Sequence, residues 1–481
     1  MVGAGAEPVG EPRLNLQDFM RSAGLLSLSS VSNLLRAIVT TKLFALALGP
    51  STVGILAQLL NFSSLMATII PLGLTTGVSR MVARAGPDSR SLAPVVGTSA
   101  AVSLGSGIAA GILLAPFSAQ ISTALTGSSR YTLLVLLIAA SFPLYNLAWV
   151  LAYVLQGLAA VKHLTAANVA NAIVTVVLLI PLTLAFGLTG SILGVLIGSV
   201  TQALIFVVAV AHAYRLRGWP VRGLTLDRAT AATLLRLGGI VLAGGIAMWG
   251  SVLIVRTVAV HRLGGHANGL YQVAYGLSSQ YIAVFMTWMS AYVFPRVARE
   301  ARSERIQLLL NSVLRANLML MAPGLVLVTA LRTPLIQLLY THAFLAAAPL
   351  VGVQALGDYV RVVAWSFGVA LFAQGYVRTH LVAMVVQSVA WVAATVLLLG
   401  PLGLMALPVG YLISFLTWPP LLFGTVRRFL SAGIDGENVA LIALGLVALL
   451  ATLFVPWPVG VLLAVPVPAA VVLFQRRQAT A

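Results

Sequence analysis

Long apolar runs alternate along the chain with short breaks such as "LGPS", "AGPDSRS", "FGLTG", "LRGWPVRG" and "LRTP". A helix crossing the hydrocarbon layer needs about 20 mostly apolar residues, and the runs between breaks reach that length repeatedly. They predict fourteen spans: 22–48, 53–79, 93–116, 131–156, 163–186, 188–213, 237–260, 268–293, 308–330, 344–373, 379–399, 403–425, 438–455 and 458–474. The last two are short and rich in proline. The fold class that follows is an all-α polytopic membrane protein.

Several spans carry polar residues at helical spacing. Ser22, Ser29, Asn33, Arg36 and Thr40 fall on one face of the first span, and Gln58, Asn61, Thr68, Thr75 and Ser79 on one face of the second. The fifth offers Asn168, Asn171 and Thr175; the tenth offers Gln354, Asp358, Arg361 and Trp365. Unpaired polar groups are costly against lipid, so these faces look into a bundle interior or a wet cavity. Arg36 and Arg361 lie a dozen or more residues from either span end, roughly 18 Å along a helix, too deep to snorkel comfortably. They are candidate cavity cations. Lys42, Arg256 and Arg315 lie nearer an end, and both snorkelling and cavity exposure remain open for them. Asp358 can pair with Arg361 one turn away, carry a coupling proton, or do both. Trp249, Trp288 and Trp365 fit packing or interface anchoring as well as a cavity wall. His163, His212, His261, His266, His342 and His380 sit where interfacial solvation satisfies them.

Charge orients this pattern. The 481 residues are 60% hydrophobic and 8% charged, with a formal net charge of +18. With the N-terminus inside, the cytoplasmic loops hold 20 of the 28 basic residues, and the outer loops hold three, Arg130, Arg262 and Arg332. By the positive-inside rule both termini are cytoplasmic, which accounts for the charge without a nucleic-acid partner. Nine of the ten acids lie in the N-terminal tail or cytoplasmic loops; Asp358 is the in-span acid. The opening "MVGAGAEPVGEPRLNLQDFMR" has acids where a signal peptide has bases and reads as an uncleaved cytoplasmic tail. Cysteine is absent, so disulfides and thiolate sites are excluded. No nucleotide loop, metal-ligand cluster or nucleophile–base pair stands out, so neither enzyme chemistry nor a cofactor is expected.

The chain also repeats. Shifting residues 21–84 by 215 positions matches Arg21 with Arg236, Gly24 with Gly239, Leu48-Gly49 with Leu263-Gly264, Gly54 with Gly269 and Val82-Ala83-Arg84 with Val297-Ala298-Arg299. Identities number only 11 of 64, so the spacing of the matched ends carries the argument. "LQGLAAVKHL" at 155–164 echoes "AQGYVRTHL" at 373–381. Each unit has six spans, an even number, so the repeats are parallel and a substrate site is expected between them near the midplane. The expected organisation is a tail at 1–20, lobes at 21–214 and 236–426, a linker at 215–235, and two extra helices with a tail at 427–481.

"TKLFALALGPSTVGILAQLLNFSSLMATIIPLGLTTGVSRMVAR", "VVGTSAAVSLGSG" and "LGDYVRVVAWSFG" resemble the lipid-linked oligosaccharide flippases for O-antigen and enterobacterial common antigen. These belong to the multidrug/oligosaccharidyl-lipid/polysaccharide exporter superfamily. The resemblance runs over roughly residues 20–425 and implies two six-helix lobes around a central cationic cavity. It also implies alternating-access flipping of an undecaprenyl-diphosphate-linked sugar in the bacterial inner membrane, with membrane lipid and glycan-assembly proteins as partners. The extra two helices depart from twelve-span members of the common-antigen type, and a fourteen-span lipid II flippase is a near relative and an alternative reading. A drug or small-solute antiporter of the same fold, using Asp358 as its ion site, is the alternative. A bias of bases over acids within the spans favours an anionic ligand such as a diphosphate. Arg36, Lys42, Arg256 and Arg361, with Asn33, Gln58 and Asn61, are the candidate substrate contacts, and Asp358 is a coupling or orienting acid.

Overall fold

The computed structural model describes residues 16–85, 89–217, 226–299, 303–430 and 433–471. The N-terminal stretch 1–15, Arg222, Arg302 and the end from 472 onward lie outside the described residues, and with them most of the two expected tails. The described residues contain helices and turns but no strand. In chain order the helices are α1 (Leu16–Ile69), α2 (Leu74–Ala85), α3 (Ser89–Leu114), α4 (Ser118–Thr126), α5 (Thr132–Gly157), α6 (Val161–Arg215), α7 (Arg228–Trp288) and α8 (Phe294–Arg299). They continue as α9 (Ser303–Ala330), α10 (Arg332–Leu339), α11 (Ala348–Ala373), α12 (Val377–Leu402), α13 (Ala406–Leu416), α14 (Trp418–Leu430), α15 (Gly436–Ala451) and α16 (Trp457–Leu462).

By length and composition, eight helical stretches can cross a membrane, and four of them are far too long for one passage. Each of those four is folded back at a glycine with positive φ: Gly49, Gly187, Gly264 and Gly403. Dividing them there gives twelve segments, and the shorter apolar helices Gly436–Ala451 and Trp457–Val471 complete the expected fourteen. The backbone angles repeat between halves. Gly49 (φ 70°, ψ 173°) matches Gly264 (φ 86°, ψ 170°), and Gly187 (φ 56°, ψ −128°) matches Gly403 (φ 52°, ψ −130°). A Cβ disfavours side-chain-bearing residues in these regions, which is why glycine marks these four fold-backs.

The glycines of the first repeat signature also meet each other. A Cβ on Gly54 would lie 2.0 Å from Gly265 O, and one on Gly269 would lie 1.9 Å from Pro50 O. The contact is reciprocal, as a pseudo-two-fold between the halves requires, and the missing side chains let the two backbones touch. Around it Asn268 donates to Gly54 O at 2.7 Å, Gln58 Nε2 donates to Thr257 Oγ1 at 2.6 Å, and His261 Nε2 lies 2.8 Å from Ala124 O. This seam sits at the end of the bundle that carries Gly49 and Gly264, the glycine end. Arg80, Arg84, Arg215, Arg296, Arg299, Arg427 and Arg428 lie at the opposite, basic end.

Three expectations need correction. The second span does not run unbroken through 53–79: Pro71, with Leu72 (φ 51°) and Gly73 (φ 73°), turns the chain between α1 and α2. The polar face from Gln58 to Ser79 is therefore not continuous. The second echo lies in a different register. Ala160 N donates to Leu155 O and Tyr376 N to Leu371 O, at 2.9 and 2.8 Å, so equivalent turns are 216 residues apart and the two Gln-Gly pairs are not equivalent. The twelfth span divides into α13 and α14 just before Pro419-Pro420.

The last two helices belong to the second half's core, where Leu441, Leu449 and Val467 join Leu325, Tyr359 and Phe367. Arg315 donates to Glu437 Oε2 at 2.8 Å at one end of α15, and Arg332 to Thr452 O at 3.0 Å at the other. Arg315 thus fastens α15 to α9.

Candidate functional site

Asp358 is fully buried on α11 and accepts three hydroxyl hydrogen bonds. Ser278 and Tyr281 of the second arm of α7 donate to Oδ2 at 2.6 and 2.5 Å, and Tyr411 of α13 donates to Oδ1 at 2.6 Å. Three helices therefore converge on one carboxylate in a site where each hydroxyl would be costly to leave unpaired. Arg361, one turn along α11, makes no direct ion pair with it. Its Nη1 instead donates to the Tyr411 hydroxyl at 3.1 Å, so Tyr411 stands between acid and base. One turn is near enough for a pair, but the tyrosine hydroxyl takes the position that the guanidinium would need.

Arg361 lines a cavity of about 230 Å³ with Trp249, Tyr275, Ser278, Trp365 and Tyr411. Its Nε is buried without a hydrogen-bond partner. Trp249 also lines a neighbouring cavity of about 350 Å³, with Ser64, Thr68, Tyr145, Trp149 and Tyr153. Arg36, on the first arm of α1, lies in electrostatic range of Tyr145, and its Nε is likewise buried and unpartnered. Arg361 thus lines one of two cavities that share Trp249, and Arg36 acts electrostatically on Tyr145, which lines the other. Among the described residues no carboxylate forms an ion pair with either arginine.

The other expected contacts scatter. Arg256 is fully buried rather than open to a cavity or an interface: Nη2 donates to Gln272 Oε1 at 2.6 Å, and the guanidinium lies 4.7 Å from the Tyr275 ring. Its Nε and Nη1 have no partner. Lys42 Nζ donates to Gln337 O and Tyr340 O at 3.1 and 2.5 Å, capping the carbonyl end of α10 across the halves. Gln58 belongs to the seam. Asn61 is buried with Nδ2 unpartnered, and Asn33 donates to Ser29 O of its own helix at 3.0 Å. Of the seven candidate substrate contacts, Arg361 lines a cavity, and Arg36 interacts with a wall residue, Tyr145, of the cavity that shares Trp249 with it.

Sequence reasoning missed Tyr411, Ser278 and Tyr281, because partners on separate helices leave no periodic signal. It also missed Tyr145, Trp149 and Tyr153, whose spacing of four was legible as one helical face. Trp249 and Trp365 prove to be cavity walls. Trp288 packs on Tyr292, with ring centroids 4.3 Å apart, and donates to Asn317 at 3.2 Å. His380 is buried between Trp365 and Trp418 rather than solvated at an interface.

The family described as "Polysaccharide biosynthesis protein" matches residues 19–301. The chain is 23% identical over 354 residues to the lipid III flippases of Escherichia coli (strain K12) and Shigella flexneri, covering 73% of this chain and 84% of each relative. It superposes on the lipid II flippase MurJ, in an inward closed conformation, with a TM-score of 0.73 at 14% identity over 96% of this chain and 100% of that one. An inward-facing multidrug resistance MATE family transporter of the MOP superfamily gives a TM-score of 0.63 at 17% identity, over 85% of this chain and 98% of its own. The structural likenesses establish the fold.

Proposed function

The chain belongs to the polysaccharide biosynthesis protein family, and from that premise we propose that it flips an undecaprenyl-diphosphate-linked oligosaccharide from the cytoplasmic to the outer leaflet. The observation that carries this reading is the pair of deep arginines, one from each half, each with a buried unsatisfied Nε and no carboxylate ion pair among the described residues; Arg361 lines one cavity, and Arg36 acts on Tyr145 in the wall of another that shares Trp249. A buried guanidinium nitrogen left unpaired is costly, and a diphosphate supplies oxygens that can satisfy it.

In this reading the basic end is cytoplasmic and the glycine end faces outward, closed by the Gly54–Gly269 seam and the Lys42 cap. The diphosphate and sugars enter from the cytoplasmic side while the polyprenyl tail stays in lipid. The bodies that move are residues 21–214 and 236–426, joined through 215–235, with 427–481 carried by the second. Asp358 acts as an orienting acid, holding Tyr411 so that Tyr411 holds Arg361. Expelling an anion from a negative interior is favoured by about 2.3 kcal/mol per charge per 100 mV, so the charge itself requires no coupling ion.

Lipid II is the second candidate substrate, favoured by the fourteen segments and the fold shared with the lipid II flippase. Proteoliposomes loaded with a diphosphate-linked oligosaccharide, with lipid II or with a cationic dye separate the readings. Movement of the oligosaccharide lipid is expected. Movement of lipid II instead selects the second substrate, and movement of the dye alone selects an antiporter.

A further inference from the structure

Tyr145, Trp149 and Tyr153 follow one another at every fourth residue of α5 and form a ladder, with centroids 6.2 and 6.4 Å apart. Trp149 is 43% exposed despite its size. The three rings line the cavity of about 350 Å³, and Ser64 and Thr68 of α1 share its wall. Ser64 gives its proton to Leu60 O at 2.9 Å and Thr68 gives its own to Ser64 O at 3.0 Å, so each hydroxyl oxygen keeps lone pairs for an outside donor. Residues of α1, α5 and α7 all contribute to this wall, which distinguishes the ladder from a lipid-facing aromatic belt.

We propose that this ladder is a glycan-binding subsite that takes consecutive sugar rings of the lipid-linked substrate. A pyranose presents C–H groups on its flat faces and hydroxyls around its rim. The negative π face of an aromatic ring attracts the first, and the Ser64 and Thr68 oxygens accept from the second. The direction follows from charge. Among the ladder residues it is Tyr145 that feels the Arg36 charge, so the diphosphate sits toward that end of the ladder, and the sugar bonded to it covers Tyr145 and Trp149. Because α5 runs from the glycine end toward the basic end, the glycan extends past Tyr153 toward the basic mouth. The subsite rests on the flippase reading above.

The test titrates the purified chain in lipid nanodiscs with a bare prenyl diphosphate and with the same lipid bearing one or three sugars. The wild type should bind the sugar-bearing lipids more tightly than the bare one. Trp149→Ala should remove up to about tenfold of that gain while shifting the bare lipid less than about twofold. Trp149→Phe should restore most of it, and Tyr153→Ala should weaken the three-sugar lipid but not the one-sugar lipid. Equal weakening of all three lipids by Trp149→Ala, or of none, overturns the subsite. Wild-type binding that ignores Arg36→Ala and Arg361→Ala overturns the flippase reading itself, and the subsite with it.

Discussion

The two halves of the molecule share a scaffold and differ in what they place inside it. Their fold-back glycines recur at Gly49 and Gly264 and again at Gly187 and Gly403, with near-identical angles. Their interiors do not match. The first half sets Arg36 within electrostatic reach of an aromatic ladder, with no ion-pairing acid among the described residues, whereas the second surrounds Asp358 with Ser278, Tyr281 and Tyr411 and holds Arg361 through one of them. At these four fold-backs the backbone constraint is met by a residue that recurs, because angles of this kind favour glycine. Recognition of an asymmetric ligand, with a tail, a diphosphate and a glycan, needs a different chemistry on each side.

The largest effect should come from breaking the shared element. Gly269→Val places a branched side chain where even a Cβ lies 1.9 Å from Pro50 O, so the seam cannot close. Flipping should vanish, and cysteines introduced across the seam should lose their crosslink; crosslinking at the wild-type level would show that the contact is not required. Asp358→Ala leaves three buried hydroxyls without their acceptor, at about 1–3 kcal/mol each. It should unfold at markedly lower temperature than Asp358→Asn, which retains an acceptor and appreciable flipping. Tyr411→Phe removes the link between acid and base and should weaken substrate affinity by about tenfold. Turnover at saturation should hardly change, since Arg361 remains; a fall in turnover with unchanged affinity would contradict the positioning role.

The smallest effect sharpens the comparison of the halves at their equivalent turns. Ala159 holds φ 51° where the second half uses Gly375 at φ 88°. A non-glycine residue pays roughly 1–2 kcal/mol there, partly offset by the greater chain entropy of glycine. Ala159→Gly should raise stability by about 0.5 kcal/mol and Gly375→Ala should lower it, as read by thermal unfolding in detergent.

Much of the scaffold was legible because membrane helices announce themselves by length and apolarity, and because Gly49 and Gly264 sit at matching points of a gapless alignment. Gly187 and Gly403 escaped, since the intervening loops shift the register by one residue and the flanking sequences share little. The turn at 70–73 escaped because one proline in an apolar run reads as a tolerated kink. Within the site, the depth of Arg36 and Arg361 could be counted from the span ends. The partners of Asp358 could not, because Ser278, Tyr281 and Tyr411 come from two other helices whose rotation only packing sets. Gln58 and Lys42 looked like ligand contacts for the same reason, since a polar residue facing the other half can bind a substrate or bridge to the facing backbone.

The central claim is that one cation from each half receives the diphosphate. It is tested most directly by translocation of a fluorescent diphosphate-linked oligosaccharide in proteoliposomes, with Arg36→Ala and Arg361→Ala measured singly and together. Membrane insertion and thermal stability of each variant serve as controls. The account predicts that either single substitution abolishes translocation while the protein inserts normally, and that Arg36→Lys keeps part of it because a point charge replaces a bidentate fork. Wild-type translocation by both single variants would contradict it.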